Sequence, residues 1–285
     1  MRETNGNHLD KARRHTARKR FGQNFLQDPG IISRIVEAIG PANNDHLVEI
    51  GPGQAALTTP VIAALGNNNR LNLIEIDRDL AAGLQQQFGA DPRVSIHVGD
   101  ALDIDFGELR QQAKTPLRVF GNLPYNISTP LIFHLLQHTQ TTNAPAVIAD
   151  MHFMLQREVV ERMAAPPGSK TYGRLSVMTQ YYCQVEPLFD VPPECFSPKP
   201  KVMSAIVRLL PYAKAPVIAD NPATLDQVVK AAFAQRRKTL RNGLKTMIDT
   251  AALHALDIDP GARAETLEIS QFVTIANAIN VANKR

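Results

Sequence analysis

Cysteine is scarce in this chain of 285 residues, which carries only Cys183 and Cys195. Two cysteines exclude a disulfide-stabilised scaffold, and their spacing does not match a metal site. Long apolar runs are also lacking, since no stretch reaches the roughly 18 residues that a membrane span needs. No apolar segment follows the N-terminal charges, as a signal peptide would require. We therefore expect a soluble, cytoplasmic protein that has neutral thiols and neither a bound metal nor a membrane anchor.

Acidic residues are few near the N-terminus, although the net charge of the chain is only +4. Residues 1–21 contain seven basic and two acidic side chains, and this surplus of five exceeds the net charge of the whole chain. The cluster Arg18, Lys19 and Arg20 lies at the end of this arm. Such an arm is typical of a protein that binds a phosphate-rich partner, or else of a solvated tail.

A second segment that is poor in acids lies near the C-terminus, where Asp226 is the single acid between residues 224 and 247. We predict a helix here, in which positions 237, 241 and 245 share one face at i, i+4 and i+8 spacing. This face is interpreted as a phosphate-binding surface in preference to an ordinary solvated one. We assign four residues to this phosphate-binding surface, as candidate contacts to RNA: Arg236, Arg237, Lys238 and Arg241.

The pattern of apolar residues divides the chain into three parts. Residues 1–20 form the basic arm. Residues 21–210 alternate short apolar runs with amphipathic segments, which is typical of an α/β sheet with helices on both faces. Residues 211–221 are rich in proline and read as a linker, and only helical periodicity follows them. We therefore predict a large α/β domain over 21–210 and a small helical domain over 211–285.

A glycine turn follows the first strand of the predicted sheet. The apolar run 46–50 leads directly into Gly51-Pro52-Gly53 and then into a helix. A strand, a glycine turn and a helix make the first unit of a nucleotide-binding fold, in which small residues let a ligand approach the backbone. The third glycine of the dinucleotide fingerprint is absent, so the turn does not indicate a pyrophosphate ligand.

Acidic residues end the next two predicted strands. Glu75 and Asp77 lie about twenty positions beyond the glycine turn, where an acid holds the ribose hydroxyls of a nucleotide. Either residue suits this role, and a negative charge here disfavours a 2'-phosphate. Asp100 follows the predicted strand 93–98 and is either an acceptor for an adenine amino group or a loop cap.

The sequence Asn122-Leu123-Pro124-Tyr125 follows a fourth apolar run and Gly121. The exocyclic amine of adenine is a poor nucleophile because its lone pair is delocalised into the ring. The Asn122 side-chain oxygen and a backbone carbonyl near Pro124 are able to accept the N–H bonds of this amine and to aim its lone pair at an electrophile. Tyr125 would stack on the base. The alternative is an ordinary turn in which Tyr125 packs in the core.

Two loops are candidates for the border of the same site. Asn24 and Leu26 precede a helix that begins near Asp28-Pro29, and their loop either folds over a ligand or packs against this helix. Phe196 begins a proline-rich loop, where we expect it to be exposed and to face Tyr125 across a base. The alternative for Phe196 is a hydrophobic plug beneath the loop.

Four motifs closely resemble the bacterial small-subunit rRNA adenine dimethyltransferases, the family associated with kasugamycin sensitivity. The resemblance extends over about residues 10–280. The motifs are Lys19-Arg20-Phe21-Gly22-Gln23-Asn24-Phe25-Leu26, Glu49-Ile50-Gly51-Pro52-Gly53, Asn122-Leu123-Pro124-Tyr125-Asn126-Ile127-Ser128 and Arg236-Arg237-Lys238-Thr239.

The resemblance implies a Rossmann-like methyltransferase sheet that uses S-adenosylmethionine to dimethylate N6 of two adjacent adenines near the 3' end of 16S rRNA. It implies the 30S subunit as partner and a link to late 30S assembly. Nothing in the sequence demands a dimer, so we expect a monomer. The resemblance assigns the ribose to Glu75, and it places Tyr125 and Phe196 on the two faces of the base. Lys199 departs from the usual proline triplet of the loop. The implied cofactor contacts are Asn24, Leu26, Gly51, Glu75, Asp100 and Asn122.

Other functions compete with this one. A related methyltransferase modifies one adenine of 23S rRNA and shares the Asn-x-Pro-Tyr core, but the C-terminal basic motif and the Phe196 loop favour the small-subunit enzyme. A non-catalytic RNA-binding assembly factor on the same fold is a second alternative. A nicotinamide dehydrogenase is the third, and it would have a fuller glycine fingerprint.

Overall fold

A mixed, seven-stranded sheet forms the centre of the computed structural model, which describes residues 24–139, 146–235 and 237–282. The strand order is β4-β3-β2-β5-β6-β9-β7. Strands β2 to β6 pair in parallel, and β9 runs antiparallel to both of its neighbours. A separate pair, β1 and β8, is antiparallel. The strands are β1 (Phe25–Leu26), β2 (His46–Ile50), β3 (Arg70–Glu75), β4 (Val94–Val98), β5 (Leu117–Asn122), β6 (Ile148–Gln156), β7 (Cys183–Val191), β8 (Phe196–Ser197) and β9 (Ser204–Pro211).

Helices connect the parallel strands and form the C-terminal part of the chain. They are α1 (Pro29–Ile39), α2 (Thr58–Ala64), α3 (Arg78–Phe88), α4 (Phe106–Ala113), α5 (Ser128–Gln137), α6 (Arg157–Met163), α7 (Arg174–Tyr182), α8 (Pro222–Phe233), α9 (Leu240–Gly243), α10 (Thr250–Ala255) and α11 (Ile269–Ala282). None of the described helices combines the length and the apolar composition that a membrane span requires. The α/β fold class predicted from the sequence is confirmed.

Helix α1 shows how local signals set the element boundaries. The Asp28 side chain accepts a hydrogen bond from the Ile31 amide at 2.8 Å, and Pro29 occupies the first turn. Gly40 ends the helix with a φ of 54°, a left-handed conformation that glycine adopts without strain. The apolar face buries Ile31, Ile35 and Ile39 against the sheet. The predicted helix start and stop are thus confirmed.

The topological switch point lies between β2 and β5. From β2 the chain moves outward through β3 to β4, and it then returns to the other side of β2 as β5. Ligands of open α/β sheets bind in the crevice that forms where the strand order reverses, beyond the carboxyl ends of the strands. The ends of these four strands carry the glycine turn, Glu75, Asp100 and Asn122.

The β1–β8 pair is a feature that the sequence did not predict. Leu26 pairs with Phe196, and Phe25 pairs with Ser197, across a separation of more than 160 residues. The backbone amide of Gln27 also donates to the Cys195 carbonyl at 2.8 Å. Two-residue strands have almost no periodicity, so only the tertiary contact identifies them. This pair joins the segment before α1 to the loop before β9.

The C-terminal helices enclose a second core, and this core includes α7. Tyr172, Val177 and Tyr181 pack in the same buried cluster as Leu225 and Phe272. Tyr172 donates a hydrogen bond from its hydroxyl to the Leu267 carbonyl at 3.1 Å. The C-terminal helices therefore pack against side chains that precede residue 211 in the sequence.

The predicted continuous helix through positions 237, 241 and 245 is wrong. Helix α8 ends at Phe233, and α9 covers only Leu240–Gly243. Thr239 instead forms an isolated antiparallel bridge with Arg263, and the Leu240 amide donates to the Ala262 carbonyl at 2.9 Å. Backbone pairing with this distant segment replaces the helical hydrogen bonds that the periodicity suggested.

Candidate active site

A cavity opens at the carboxyl ends of β2, β3, β4 and β5. The empty space within it amounts to about 960 Å³, a volume that includes open solvent at its mouth. The predicted cofactor contacts all line it together with the motif that begins at Asn122. The predicted residues in its wall are Asn24, Leu26, Gly51, Glu75, Asp100, Asn122, Pro124 and Tyr125.

The glycine turn after β2 has the backbone geometry that a close ligand approach needs. Gly51 and Gly53 have φ values of 68° and 59°, in the left-handed region that favours glycine. A Cβ on Gly53 would lie 3.3 Å from the ring of Phe25, so the segment that carries Asn24 and Leu26 packs tightly on this turn. The turn and the N-terminal segment together form one side of the cavity.

Glu75 faces the cavity, whereas Asp77 does not line it. The two carboxylate oxygens of Glu75 accept hydrogen bonds from the Asp77 amide at 2.9 Å and from the Gly53 amide at 3.0 Å. Burial raises the pKa of Glu75, and these backbone hydrogen bonds oppose the rise. Asp77 instead caps α3 by accepting from the Asp79 amide at 3.0 Å. The geometry therefore places the Glu75 carboxylate, and not that of Asp77, in the cavity wall.

Glu49 is a second buried carboxyl group in the cavity wall, at the fourth position of β2. Its side chain accepts a hydrogen bond from the Thr58 hydroxyl at 2.7 Å. Burial raises the pKa of Glu49 to about 8, the Thr58 hydrogen bond opposes the rise, and the nearby Glu75 charge adds to it. In the sequence analysis Glu49 appears only as the first residue of the motif Glu49-Ile50-Gly51-Pro52-Gly53 and is not assigned to the site.

Asp100 caps a loop and also lies in the wall of the cavity, so its predicted role as an acceptor for an adenine amino group stays a prediction. Its side chain caps the short 3-10 helix at Ala101–Asp103 by accepting from the Leu102 amide at 3.0 Å. The residue also lines the cavity. A carboxylate has several lone-pair sites, so one oxygen bonded to the loop leaves the other as a ligand acceptor.

The orientation of the Asn122 amide is fixed by a residue 98 positions away. Its Nδ2 donates to the Asn24 backbone carbonyl at 3.0 Å. Because a carbonyl only accepts, the NH₂ group must face Asn24, and the Asn122 side-chain oxygen must point the other way. This contact leaves the Asn122 oxygen as an acceptor at the lip of the cavity.

Tyr125 is held at both ends by buried serines. Its hydroxyl shares a 2.6 Å hydrogen bond with Ser204 at the start of β9, and its carbonyl accepts from the Ser128 hydroxyl at 3.1 Å. Burial raises the pKa of the Tyr125 phenol, and the Ser204 contact opposes the rise. The ring is only partly buried. Sequence reasoning missed Ser204, which lies 79 positions away and belongs to no local motif.

The prediction that Phe196 is exposed is wrong. Its side chain is only 5% exposed and packs in a core cluster with Leu26, Ile31 and Ile206. The residue does not line the cavity. Pairing of β8 with β1 turns Phe196 toward the core, because Leu26 lies directly opposite it. The alternative of a hydrophobic plug beneath the loop describes this position, while the Lys199 ammonium pairs with Glu194 at the surface.

The C-terminal basic residues within the described chain are exposed. Arg237 and Lys238 lie in the turn after α8, and Arg241 lies in α9. No carboxylate of the described residues pairs with these three side chains, while Asp226 pairs with Arg174 at 2.8 Å. They remain close in sequence but do not form the predicted helical stripe. The other predicted RNA contacts, which lie outside the described residues, are Arg18, Lys19, Arg20 and Arg236.

Comparison with known proteins adds two kinds of finding to this geometry. Small-subunit ribosomal RNA methyltransferase A of Chromohalobacter salexigens is 58% identical over 268 residues, covering 93% of this chain and 92% of that protein. The protein of the same description from Pseudomonas aeruginosa is 55% identical over 265 residues, covering 93% and 95%.

Two crystal structures share the fold. A dimethyladenosine transferase from Plasmodium falciparum superposes with a TM-score of 0.72 at 24% identity, covering 88% of this chain and 95% of that chain. The 23S rRNA methyltransferase ErmE superposes with a TM-score of 0.65 at 24% identity, covering 90% and 100%. The family model described as ribosomal RNA adenine dimethylase matches residues 14–281. This chain therefore belongs to the ribosomal RNA adenine dimethylase family.

Proposed function

We propose that this protein dimethylates N6 of two adjacent adenines near the 3' end of 16S rRNA, within the 30S particle and late in its assembly. The observation that carries the proposal is the position of Asn122 and Tyr125 at the mouth of a cavity that the ends of four strands form. An adenine bound by Asn122 and Tyr125 would lie next to a cofactor bound at the strand ends. We further propose that the protein acts as a monomer.

S-adenosylmethionine is the methyl donor, and its sulfonium group supplies an electrophilic methyl when bound. The cavity suits this cofactor because its wall presents carboxylates to a cation and a glycine turn to a close ligand. Glu75 would hold the ribose hydroxyls, and Asp100 the adenine amino group. Asn24, Leu26 and Gly51 would complete the cofactor site with Asn122.

Asn122 and a neighbouring carbonyl prepare the target amine. The Asn122 oxygen accepts one N–H bond, and a backbone carbonyl of Leu123 or Pro124 accepts the other. The Pro124 carbonyl already accepts from the Ile127 amide at 3.1 Å, which favours Leu123 for this second contact. These acceptors localise the lone pair and stabilise the positive charge that grows on N6, so orientation is the main catalytic demand.

Tyr125 is the proposed stacking platform for an adenine that leaves its stack, a step that costs a few kcal/mol. Stacking of one base on an aromatic side chain contributes about 1–3 kcal/mol to the binding free energy of single-stranded nucleic acid. Phe196 remains the second proposed base contact. Because its ring is buried here beside Leu26, stacking on a base would require Phe196 to leave this core cluster.

The hydrogen bond between Ser204 and Tyr125 predicts a kinetic effect at a residue outside the motif. Ser204→Ala should lower kcat up to about tenfold, which is the loss expected for one hydrogen bond, and should leave cofactor affinity unchanged. Tyr125→Phe removes the same contact, so the double variant should lose little more than either single variant. Ser204→Thr keeps a hydroxyl and should recover activity. Additive losses would show that Ser204 does not act through Tyr125.

The exposed basic residues predict a salt-dependent interaction with RNA. Each of Arg237→Ala, Lys238→Ala and Arg241→Ala should weaken 30S binding and reduce the slope of log affinity against log salt by about 0.7–0.9. Arg162→Ala is the matched control, because this exposed arginine of α6 pairs with Glu158 instead. If the slope of log affinity against log salt were equal for the control and all three variants, these three residues would not contact RNA phosphates.

The reaction is tested by methyl transfer from labelled S-adenosylmethionine to 30S subunits that lack the modification. Free 16S rRNA, free 23S rRNA and mature 30S subunits serve as controls, and nucleosides are identified after digestion. We expect dimethyladenosine at two adjacent positions of the unmodified 30S particle alone. Label in free 23S rRNA would contradict this proposal and would show that the protein modifies 23S rRNA instead. Cofactor binding without transfer to any RNA would indicate an assembly factor without catalysis.

The domain division also remains a proposal. We place the basic arm at residues 1–20, the methyltransferase domain at 21–210 and the helical RNA-binding domain at 211–285. The contribution of α7 to the second core supports a tight junction between the last two. Limited proteolysis between β9, which ends at Pro211, and α8, which begins at Pro222, tests this division, since cleavage there should leave both fragments associated.

A further inference from the structure

The described wall of the cofactor cavity is acidic and contains no basic side chain. Glu49, Glu75 and Asp100 line it, together with Tyr125 as the remaining titratable group. No lysine, arginine or histidine of the described residues belongs to the wall. Glu49 and Glu75 are only 2% and 4% exposed. Two buried carboxylates that share a cavity repel each other and lose hydration, so ionising both is costly without a compensating cation.

Glu49 is the less stabilised anion of the two. Both oxygens of Glu75 accept backbone amide hydrogen bonds, from Gly53 and Asp77. Glu49 has one recorded donor, the hydroxyl of Thr58, which is itself fully buried. Hydrogen bonds to the charged form favour ionisation, so the structure favours the charge on Glu75 and the proton on Glu49.

From this arrangement we infer that Glu49 is protonated in the free protein and releases its proton when a cationic donor enters the cavity, which makes it a specificity-determining residue for the charge of the cofactor. The inference rests on the proposed use of S-adenosylmethionine. That molecule has a net positive charge, because it carries a sulfonium, an ammonium and one carboxylate. The product of methyl transfer has a neutral thioether in place of the sulfonium and therefore lacks this extra positive charge. The released proton goes to solvent, and no bond of the cofactor changes in this step.

The expected size of the effect follows from the raised pKa of Glu49, which is about 8. Near pH 7 only about one tenth of the free protein would have this group ionised, so the apparent affinity for the cation falls by about tenfold relative to pH 9. A carboxyl group that ionises in its ordinary range would produce no such dependence above about pH 6.

Calorimetric titration of the full chain with S-adenosylmethionine tests the inference. Binding heats in buffers of different ionisation enthalpy give the number of protons released. The amino group of the ligand titrates near pH 8 as well, so the quantity compared is the difference between wild type and Glu49→Gln. The glutamine keeps the side-chain length and an acceptor for Thr58 but does not ionise.

Near pH 7 we expect wild type to release close to one proton more per site than Glu49→Gln. The affinity of wild type should also rise by about tenfold more between pH 7 and pH 9 than that of the variant. Equal proton release and equal pH dependence in the two proteins would overturn the inference while leaving the methyl donor intact. Absence of S-adenosylmethionine binding by wild type would instead overturn the proposed function.

Thr58→Val is a second variant that keeps the carboxyl group. Loss of the Thr58 hydrogen bond removes an interaction that favours the Glu49 anion, so the binding midpoint should move to higher pH. A merely structural role for this contact would weaken binding equally at all pH values. Circular dichroism and thermal unfolding of both variants establish that each is folded, and an unmoved midpoint in a folded Thr58→Val protein contradicts the inference.

Discussion

Replacing Asn122 with alanine should reduce methyl transfer to the unmodified 30S subunit by about 10²–10³-fold, the loss typical of removing one preorganised polar group from a transition state. The reason is that the Asn122 oxygen is the side-chain acceptor at the cavity lip, oriented by donation of its NH₂ group to the Asn24 carbonyl. Single-turnover rates and cofactor affinity should be measured on the same preparation. We expect the rate to fall far more than the affinity.

Asn126→Ala is the matched control for this experiment. Asn126 is also an asparagine of the motif, lies four positions further along and is exposed. The control should retain nearly full activity, because no described hydrogen bond ties its side chain to the cavity. If Asn122→Ala kept a near-normal rate with bound cofactor, the amine-activation mechanism would be wrong.

Gly121→Ala is expected to disturb both stability and activity. A Cβ at this position would lie 2.3 Å from the Ile50 carbonyl oxygen, a backbone atom that cannot move alone. Strands β5 and β2 would have to separate at the switch point. Overpacking of this kind costs about 1–3 kcal/mol, or more where the backbone must shift. Because Asn122 and Gly51 adjoin these atoms, methyl transfer should fall beyond what the loss of folded protein explains.

Gly83→Ala provides the matched control for the stability measurement. Gly83 lies in α3, and a Cβ there would meet nothing within 4 Å. The helical substitution should therefore stabilise the protein by about 0.5–1 kcal/mol. Urea unfolding of the two variants and wild type gives the comparison. A Gly121→Ala protein as stable and active as wild type would contradict the close strand approach.

The sequence alone predicted the residues at the strand ends. Each apolar run between residues 46 and 122 is long enough for a buried strand, and the residue after it is small or polar. The strand pattern marks Gly51, Asp100 and Asn122 as candidate ligand residues, and the family resemblance groups them as cofactor contacts. The helix cap at Asp28 was equally local. These features depend on neighbours in the chain, which a sequence displays directly.

Strand periodicity leaves the choice between Glu75 and Asp77 open, the family resemblance assigns the ribose to Glu75, and the structure shows how the surroundings of the two side chains differ. Both side chains point to the same side of an extended strand, so periodicity does not separate them. β3 ends at Glu75, and Asp77 then becomes the cap of α3 while Glu75 accepts from the Gly53 amide. The partner of Glu75 lies 22 positions away. The same holds for Asn122, whose amide orientation depends on Asn24.

Tertiary contacts also overruled two local patterns. Phe196 lies among prolines and polar residues, which predicts exposure, but pairing with Leu26 buries it. The basic residues 237, 241 and 245 have helical spacing, yet the Thr239–Arg263 bridge interrupts the helix. In both places a strand or bridge forms with a segment far away in the chain. The sequence thus determined the sheet, the residues at its strand ends and the family, whereas the structure decided the orientation and burial of these side chains, because those depend on atoms that meet only after folding.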